Sequence, residues 1–187
     1  VRDAKGLPDP TPATRMVRVE SAGSSALIPQ GGWSLLFVDS QETIGEDGAG
    51  HNAFDGNPAT AWVTQWFNGG PTPPHEIQID LGAVHDVSGF RYLPLQGSQP
   101  GRVGAYEFYV SADGSDWDDP VAVGEFPDTN SSAARDVHFP SKSGRYVRFR
   151  ALSEVNSPDF VFSAIAELNV YPSGTGTNQP PTPSTSA

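Results

Sequence analysis

The chain has 187 residues, which is enough for one domain with a complete hydrophobic core. It contains no cysteine, so disulfides and thiolate metal sites are excluded, and 11 Lys and Arg against 22 Asp and Glu give a net charge of −11. Such an acidic surface repels the phosphate backbone of nucleic acids and the headgroups of anionic lipids. No apolar run reaches the ~18 residues that a membrane-spanning segment requires.

The predicted elements are short β-strands separated by turns rich in Gly and Pro, of which the chain has 20 and 18. No segment shows the helical period over a useful length, and about eight strands at short spacing predict an all-β sandwich or jelly roll. In chain order the predicted strands are Met16–Glu20, Trp33–Val38, His75–Gly82, Val87–Leu95, Ala105–Val110, Val121–Phe126, Ala134–Phe139, Arg145–Ala151 and Ala164–Tyr171.

Both ends of the chain have the composition of linkers. Residues 1–14 contain three prolines and little apolar content, and residues 173–187 (SGTGTNQPPTPSTSA) are too polar to bury a core. We therefore predict a domain over residues 15–172. The chain starts at Val1 without an initiator Met and ends in a linker, so we expect it to be one part of a longer protein in which another domain follows.

The segment Asn52–Trp62 (NAFDGNPATAW) combines a carboxylate, a hydroxyl and a Gly-Asn-Pro turn. Gly and Asn tolerate positive φ and Pro fixes φ, so the backbone curls and turns several carbonyl groups inward. With Asp55 and Thr60 these carbonyls form an all-oxygen shell of the kind that Ca²⁺ accepts. The alternative is an ordinary Asp-Gly turn between two strands.

The segment Thr64–Pro71 (TQWFNGGP) places two aromatic residues among turn residues. This composition is unfavourable for a strand, so we predict that Trp66 and Phe67 form an exposed aromatic platform rather than part of the core. Burial of Trp66 in the core is the alternative.

Four segments, taken in order, resemble the discoidin family (coagulation-factor type C domains) and, within it, the family 32 carbohydrate-binding modules. The resemblance spans roughly residues 33–171 and implies an eight-stranded jelly-roll sandwich whose N- and C-terminal strands are adjacent. The four segments are Asn52–Trp62 (NAFDGNPATAW), His75–Gly82 (HEIQIDLG), Tyr106–Trp117 (YEFYVSADGSDW) and Ser163–Val170 (SAIAELNV).

The resemblance also implies a structural cation. Family members with such an ion bind it through carbonyls and side chains of the Asp-containing turn and through an Ala-Glu pair near the C-terminus. Ca²⁺ is the implied ion, with Na⁺ as the alternative, and its role is structural. In this sequence the corresponding residues are Asn52, Asp55, Asn57, Thr60, Ala166 and Glu167.

The predicted sugar site departs from the family pattern. Galactose-binding relatives carry a His directly after the motif Trp, an aromatic residue three positions later and an Arg after a Leu-Pro pair, whereas this chain has Val63, Trp66 and Leu95. Specificity for galactose is therefore not expected, because the polar partners of its hydroxyls are missing. The predicted ligand contacts on the loops at one end of the sandwich are Trp66, Phe67, Gln96, Arg102, Glu154, Asn156, Phe160 and Glu42, with Glu42 favoured over Glu46 and Phe162 assigned to the core.

Motifs of catalysis are absent from the sequence. The four His residues have no zinc-binding spacing, there is no Gly-x-Ser-x-Gly motif, and no Cys nucleophile exists, although a carboxylate pair remains open. We expect a secreted, monomeric, non-catalytic carbohydrate-binding module that targets an attached polysaccharide-degrading enzyme to an oligo- or polysaccharide, without nucleic-acid or membrane partners. The alternatives are a protein-adhesion discoidin module and a structural spacer domain.

Overall fold

The computed structural model describes residues 26–97, 100–127, 131–155 and 162–174. Within these ranges the chain forms seven strands and two short 3₁₀ turns, Gln30–Gly32 and Gly50–Phe54. None of the helical segments in these ranges has the length and apolar character needed to cross a bilayer. The strands are β1 (Ser34–Val38), β2 (Trp62–Val63), β3 (His75–Pro94), β4 (Ala105–Ser111), β5 (Ala122–Glu125), β6 (Arg135–Ala151) and β7 (Ala164–Pro172).

All strand pairs are antiparallel, and the two long strands β3 and β6 pass through both layers of a sandwich. The first half of β3 pairs with β1 on one side and with the second half of β6 on the other. The second half of β3 pairs instead with β7 and with the first half of β6. The β4–β5 pair extends one layer, and β2 extends the other through β7.

The continuity of β3 and β6 corrects the predicted strand count. His75–Gly82 and Val87–Leu95, predicted as separate strands, are the two halves of β3, and pairing with β6 is interrupted between Asp80 and His85 and shifts register again between Val87 and Gly89. Gly82 lies in this interruption with φ of 79°, a value that glycine adopts without strain. The Asp80 carboxylate accepts two hydrogen bonds from Arg145 of β6 (2.7 and 2.8 Å), which fixes the bend. Ala134–Phe139 and Arg145–Ala151 are joined in the same way, as β6. Met16–Glu20 lies outside the described residues, so the other eight predicted strands become six, and β2, which was not predicted, makes seven.

The core is an aromatic cluster between the layers. Phe90 from the second half of β3 stacks on Phe108 of β4, with ring centroids 4.5 Å apart, and meets Phe149 of β6 edge-on at 5.7 Å. All three rings are fully buried. Offset or edge-on ring pairs add to the free energy gained from burying the rings themselves. Ile77, Ile79 and Val147 are also buried here.

The pairing of β2 with β7 positions both predicted sites. In their antiparallel register Trp62 lies opposite Ile165, so Thr60, just before β2, lies across from Glu167. Beyond the other end of β2, the Thr64 amide donates to the Ser163 carbonyl (2.9 Å), and Trp66 follows. The Asp55–Thr60 turn and the aromatic platform therefore lie at opposite ends of β2.

Candidate functional site

Trp66 of the aromatic platform lines an open cavity of about 510 Å³, whereas Phe67, also predicted to contact ligand, is not part of its lining. Trp66 and Phe67 are exposed, at 39% and 38%, and their rings meet edge-on with centroids 5.8 Å apart. Trp66 is thus an exposed ring, as predicted, and not a core residue. The described residues that line the cavity are Glu46, Trp66, Leu95, Gln96, Gly97, Pro100 and Phe162.

The Trp66 ring is held at its edge, which leaves a face toward the cavity. Its Nε1 donates a hydrogen bond to the Glu46 carboxylate (2.8 Å). The ring edge packs against Gly45, where an added Cβ would lie only 2.8 Å from a ring carbon. An aromatic ring fixed in this way offers apolar area against which the C–H face of a sugar can be buried.

Polar groups at the cavity come from Glu46 and Gln96. The Glu46 carboxylate can only accept hydrogen bonds when ionised. The side-chain amide of Gln96 donates to the carbonyls of Pro94 (2.6 Å) and Ser132 (3.1 Å), so its oxygen is the atom left to accept. Both side chains therefore favour a ligand that donates hydrogen bonds, such as a hydroxylated one.

Glu42, predicted to contact ligand, is fully buried instead. Its carboxylate accepts hydrogen bonds from backbone N–H groups of the adjacent loop and of the platform, which lower its pKa to about 2. Glu46, the residue less favoured from the sequence, is the one at the cavity. Both glutamates lie in one polar loop, and only the path of that loop decides which carboxylate points inward.

Two other predicted contacts, Arg102 and Glu154, lie away from the cavity lining. Arg102 is buried, with 6% of its surface exposed, and lies beside Tyr92 and Phe126. The Glu154 carboxylate accepts the Gly101 amide (3.2 Å) and so ties the loop that precedes β4 to the chain after β6. Asn156 and Phe160 lie outside the described residues.

The positions at which galactose-binding relatives carry His and Arg differ in their surroundings. Val63 is 1% exposed and packs in an apolar cluster with Ala61, Ala164 and Ala166. Leu95 packs against this cluster and lines the cavity. Phe162, assigned to the core from the sequence, packs against the same cluster and also forms part of the cavity wall.

The predicted cation turn brings oxygen atoms together. The Thr60 hydroxyl oxygen lies 2.7 Å from a carboxylate oxygen of Asp55 and 2.8 Å from the Asn57 carbonyl oxygen. A hydroxyl group has one proton and cannot donate fully to both acceptors. One of the two short oxygen–oxygen contacts of Thr60 therefore has no proton between its atoms. A cation bound among these oxygens would offset their repulsion, so the turn fits the predicted ion.

Glu167 completes the same cluster from β7. It is 6% exposed; one carboxylate oxygen accepts from the Gln30 amide (3.1 Å), and the other is buried without a hydrogen bond. Burial raises the pKa of Glu167, the neighbouring Asp55 carboxylate raises it further, and the Gln30 hydrogen bond opposes the shift. A buried carboxylate beside a second one is a site that favours a bound cation.

The remaining members of the predicted shell are placed near this cluster. Asn52 is buried, and its side-chain amide donates to the carbonyls of Asp47 (3.0 Å) and Ala61 (3.2 Å). Ala166 is buried on β7, next to Glu167. Among the residues that the structure covers, no group of three or more His, Cys, Asp or Glu side chains lies close enough together to hold a metal ion. The predicted shell contains only two carboxylates.

Comparison with known proteins gives one family and a consistent set of structures. The family model described as F5/8 type C domain matches residues 38–168. A sialidase of Micromonospora viridifaciens is 43% identical over 145 residues, which cover 77% of this chain and 22% of the sialidase. A galactose oxidase of Gibberella zeae is 36% identical over 154 residues, which cover 81% of this chain and 21% of the oxidase. The chain thus spans about a fifth of the length of these two relatives.

Two of the similar solved structures are carbohydrate-binding modules of Clostridium perfringens. One is a family 32 module in complex with GalNAc-β-1,3-galactose, with a TM-score of 0.70 and 30% identity, over 78% of this chain and 99% of that one. The other is the family 32 module of NanJ in complex with galactose, with a TM-score of 0.66 and 29% identity, over 78% of this chain and 97% of that one.

Proposed function

The chain belongs to the F5/8 type C (discoidin) family, and from this membership we propose that it is a non-catalytic carbohydrate-binding module that holds a glycan in the Trp66 cavity. The exposed face of Trp66, at 39% exposure in a cavity of about 510 Å³, is the observation that carries the proposal. Full burial of this ring would have favoured a structural spacer domain.

The cavity favours a neutral glycan with an apolar face. Its apolar wall is formed by Trp66, Leu95, Pro100 and Phe162. The Glu46 carboxylate accepts hydrogen bonds from hydroxyl groups and repels the negative charges of uronates and sulfates. Galactose is disfavoured as the preferred sugar, because Val63 is buried and Leu95 offers no donor to a hydroxyl.

The structural cation remains part of the proposal. The side chains of Asp55, Thr60 and Glu167, with the carbonyl groups of Asn52, Asn57 and Ala166, would hold Ca²⁺, with Na⁺ as the alternative. The unpaired oxygen contact at Thr60 and the buried, unbonded oxygen of Glu167 support this assignment. The ion would neutralise two carboxylates and tie the turn before β2 to β7.

The attached partner is inferred from the relatives. Two of the relatives, a sialidase and a lacto-N-biosidase, are glycoside-degrading enzymes, whereas a third is a galactose oxidase, and this chain covers only about a fifth of the sialidase. We infer that the module is a monomer within a secreted polysaccharide-degrading enzyme. Its role is to hold the catalytic domain near substrate and so raise the effective concentration of the glycan.

Affinity electrophoresis tests the proposal. The domain is run through gels that contain a panel of α- and β-linked polysaccharides, beside Trp66→Ala and the matched control Phe37→Ala, an aromatic residue 46% exposed on β1 and outside the cavity. We expect retardation by at least one neutral polysaccharide, lost in Trp66→Ala and kept in Phe37→Ala. No retardation by any polysaccharide would overturn the proposal in favour of protein adhesion.

A further inference from the structure

Glu42 is the buried charge at the centre of the loops that carry the platform. Its side chain is fully buried, and its carboxylate accepts five hydrogen bonds from backbone N–H groups. One carboxylate oxygen accepts hydrogen bonds from the loop that follows Glu42, and the other accepts hydrogen bonds from the platform. The donors are Thr43 (3.1 Å), Ile44 (2.8 Å) and Gly45 (2.9 Å) to the first oxygen, and Trp66 (2.9 Å) and Phe67 (2.8 Å) to the second.

These hydrogen bonds join two segments that are far apart in the chain. Trp66 is 24 residues beyond Glu42, and its amide meets the same carboxylate as the amide of Gly45. Gly45 in turn packs against the edge of the Trp66 ring. The carboxylate therefore sets both the backbone position of Trp66 and the position of the loop that supports its ring.

A buried carboxylate needs this number of donors to remain ionised. An uncompensated buried charge is costly, whereas a carboxylate that accepts several backbone N–H bonds is stabilised as the anion. The hydrogen bonds from Phe67, Gly45 and Trp66 lower the pKa of Glu42 to about 2, against its ordinary value of 4.5. The carboxylate is thus ionised at neutral and mildly acidic pH.

We propose that Glu42 is a positioning residue that pre-forms the glycan platform by binding the amides of Trp66 and Phe67 with the same carboxylate that fixes the supporting loop. This inference rests on the proposed function of the Trp66 cavity. A pre-formed platform loses little conformational entropy when ligand binds, so disruption of the carboxylate weakens binding without removing any ligand contact.

Glu42→Gln is the direct test, because the amide group places N–H donors where backbone N–H donors converge. Asp113→Asn is the matched control: this carboxylate also accepts backbone amides (Ser115, 2.8 Å; Asp116, 2.9 Å) and has a pKa lowered to about 2, but it lies in the turn after β4. We expect Glu42→Gln to weaken binding of the polysaccharide retained by the wild-type domain about tenfold or more, with a less favourable binding entropy, and Asp113→Asn to change it less than about twofold. Equal affinity of Glu42→Gln and wild type would overturn the proposal.

Two readouts need no ligand and so separate this inference from the proposed function. Acrylamide quenching of Trp fluorescence should increase in Glu42→Gln and stay unchanged in Asp113→Asn, because only the first variant frees the exposed ring of Trp66. If Glu42→Gln does not fold, amide hydrogen exchange on the wild-type domain tests the inference instead. The amides of Trp66 and Phe67 should exchange more slowly than that of the neighbouring exposed Asn68, and equal rates would overturn the inference even if glycan binding is found.

Discussion

At the scale of single residues, Glu42 and Glu167 are both buried carboxylates whose pKa values shift in opposite directions. Backbone amides lower the pKa of Glu42 to about 2, so its contribution to stability is present above about pH 4.5 and is lost as the pH falls toward 2. Burial raises the pKa of Glu167, so in the absence of a cation its charge destabilises the fold at neutral pH. That penalty is relieved as the pH falls through the raised pKa, when Glu167 becomes protonated.

The shift at Glu167 predicts a pH-dependent response to Ca²⁺. Protons and the cation compete for this carboxylate, so the rise in Tm produced by Ca²⁺ should be larger at about pH 7 than at about pH 5. Differential scanning calorimetry in Ca²⁺ and in chelator measures the effect, and the same scans in Na⁺ distinguish the two ions.

The variants Glu167→Gln and Asp55→Ala test whether the response belongs to this site. Both should lose the Ca²⁺-dependent rise in Tm. In chelator, Glu167→Gln should be at least as stable as wild type, because it removes a buried charge next to Asp55. An unchanged Ca²⁺ response in both variants would rule out the proposed shell.

At the scale of strands, the passage of β3 through both layers makes its second half a bridge across the core. Phe90 lies in this half and contacts Phe108 of β4 and Phe149 of β6, which belong to the opposite layer. The bend between the halves, by contrast, is exposed, and Val84 there has 66% of its surface accessible. The side chain of Phe90 should therefore contribute far more to the stability of the sandwich than that of Val84.

Phe90→Ala should lower the free energy of unfolding by about 3–5 kcal/mol, because it leaves a cavity between three packed rings. Val84→Ala is the matched control on the same strand and should change it by less than about 0.5 kcal/mol. Urea denaturation monitored by fluorescence gives both values. A loss below about 1 kcal/mol in Phe90→Ala would contradict the assignment of this ring to the contact between layers.

At the scale of the whole molecule, the two sites are separated by the β2–β7 pair. Glu167 of the cation cluster and Ala164 at the platform end lie three residues apart on β7, which corresponds to ~10 Å of extended strand. No described residue belongs to both the cation cluster and the cavity lining. The cation should therefore stabilise the domain without taking part in glycan recognition.

This separation predicts independent effects of chelation and of platform substitution. At a temperature well below unfolding, chelator should leave the Kd for the retained polysaccharide within about twofold while lowering Tm, since distant sites behave additively. Trp66→Ala should show the reverse, with weakened binding and little change in Tm. Isothermal titration calorimetry supplies the Kd, and a tenfold loss of affinity on chelation would show that the two sites are coupled.

The sequence by itself determined the family and the β-sandwich, because both depend on local patterns. Alternation of apolar residues in His75–Gly82 fixes which side chains face the core, whatever the rest of the chain does. The order of the four family segments was equally readable, and the family match and the structural neighbours confirm the prediction that they supported. The exposure of Trp66 followed from the turn residues around it.

Only the tertiary structure decided which side chains reach the cavity. Glu42 and Glu46 are four residues apart in one polar loop, and the backbone amides of a segment more than 20 residues away draw the first inward. The register of β2 against β7 buries Val63, and the pairing of β3 with β6 on both sides of its bend joins two predicted strands into one. Each outcome depends on contacts between segments distant in sequence, and local periodicity carries no information about such contacts.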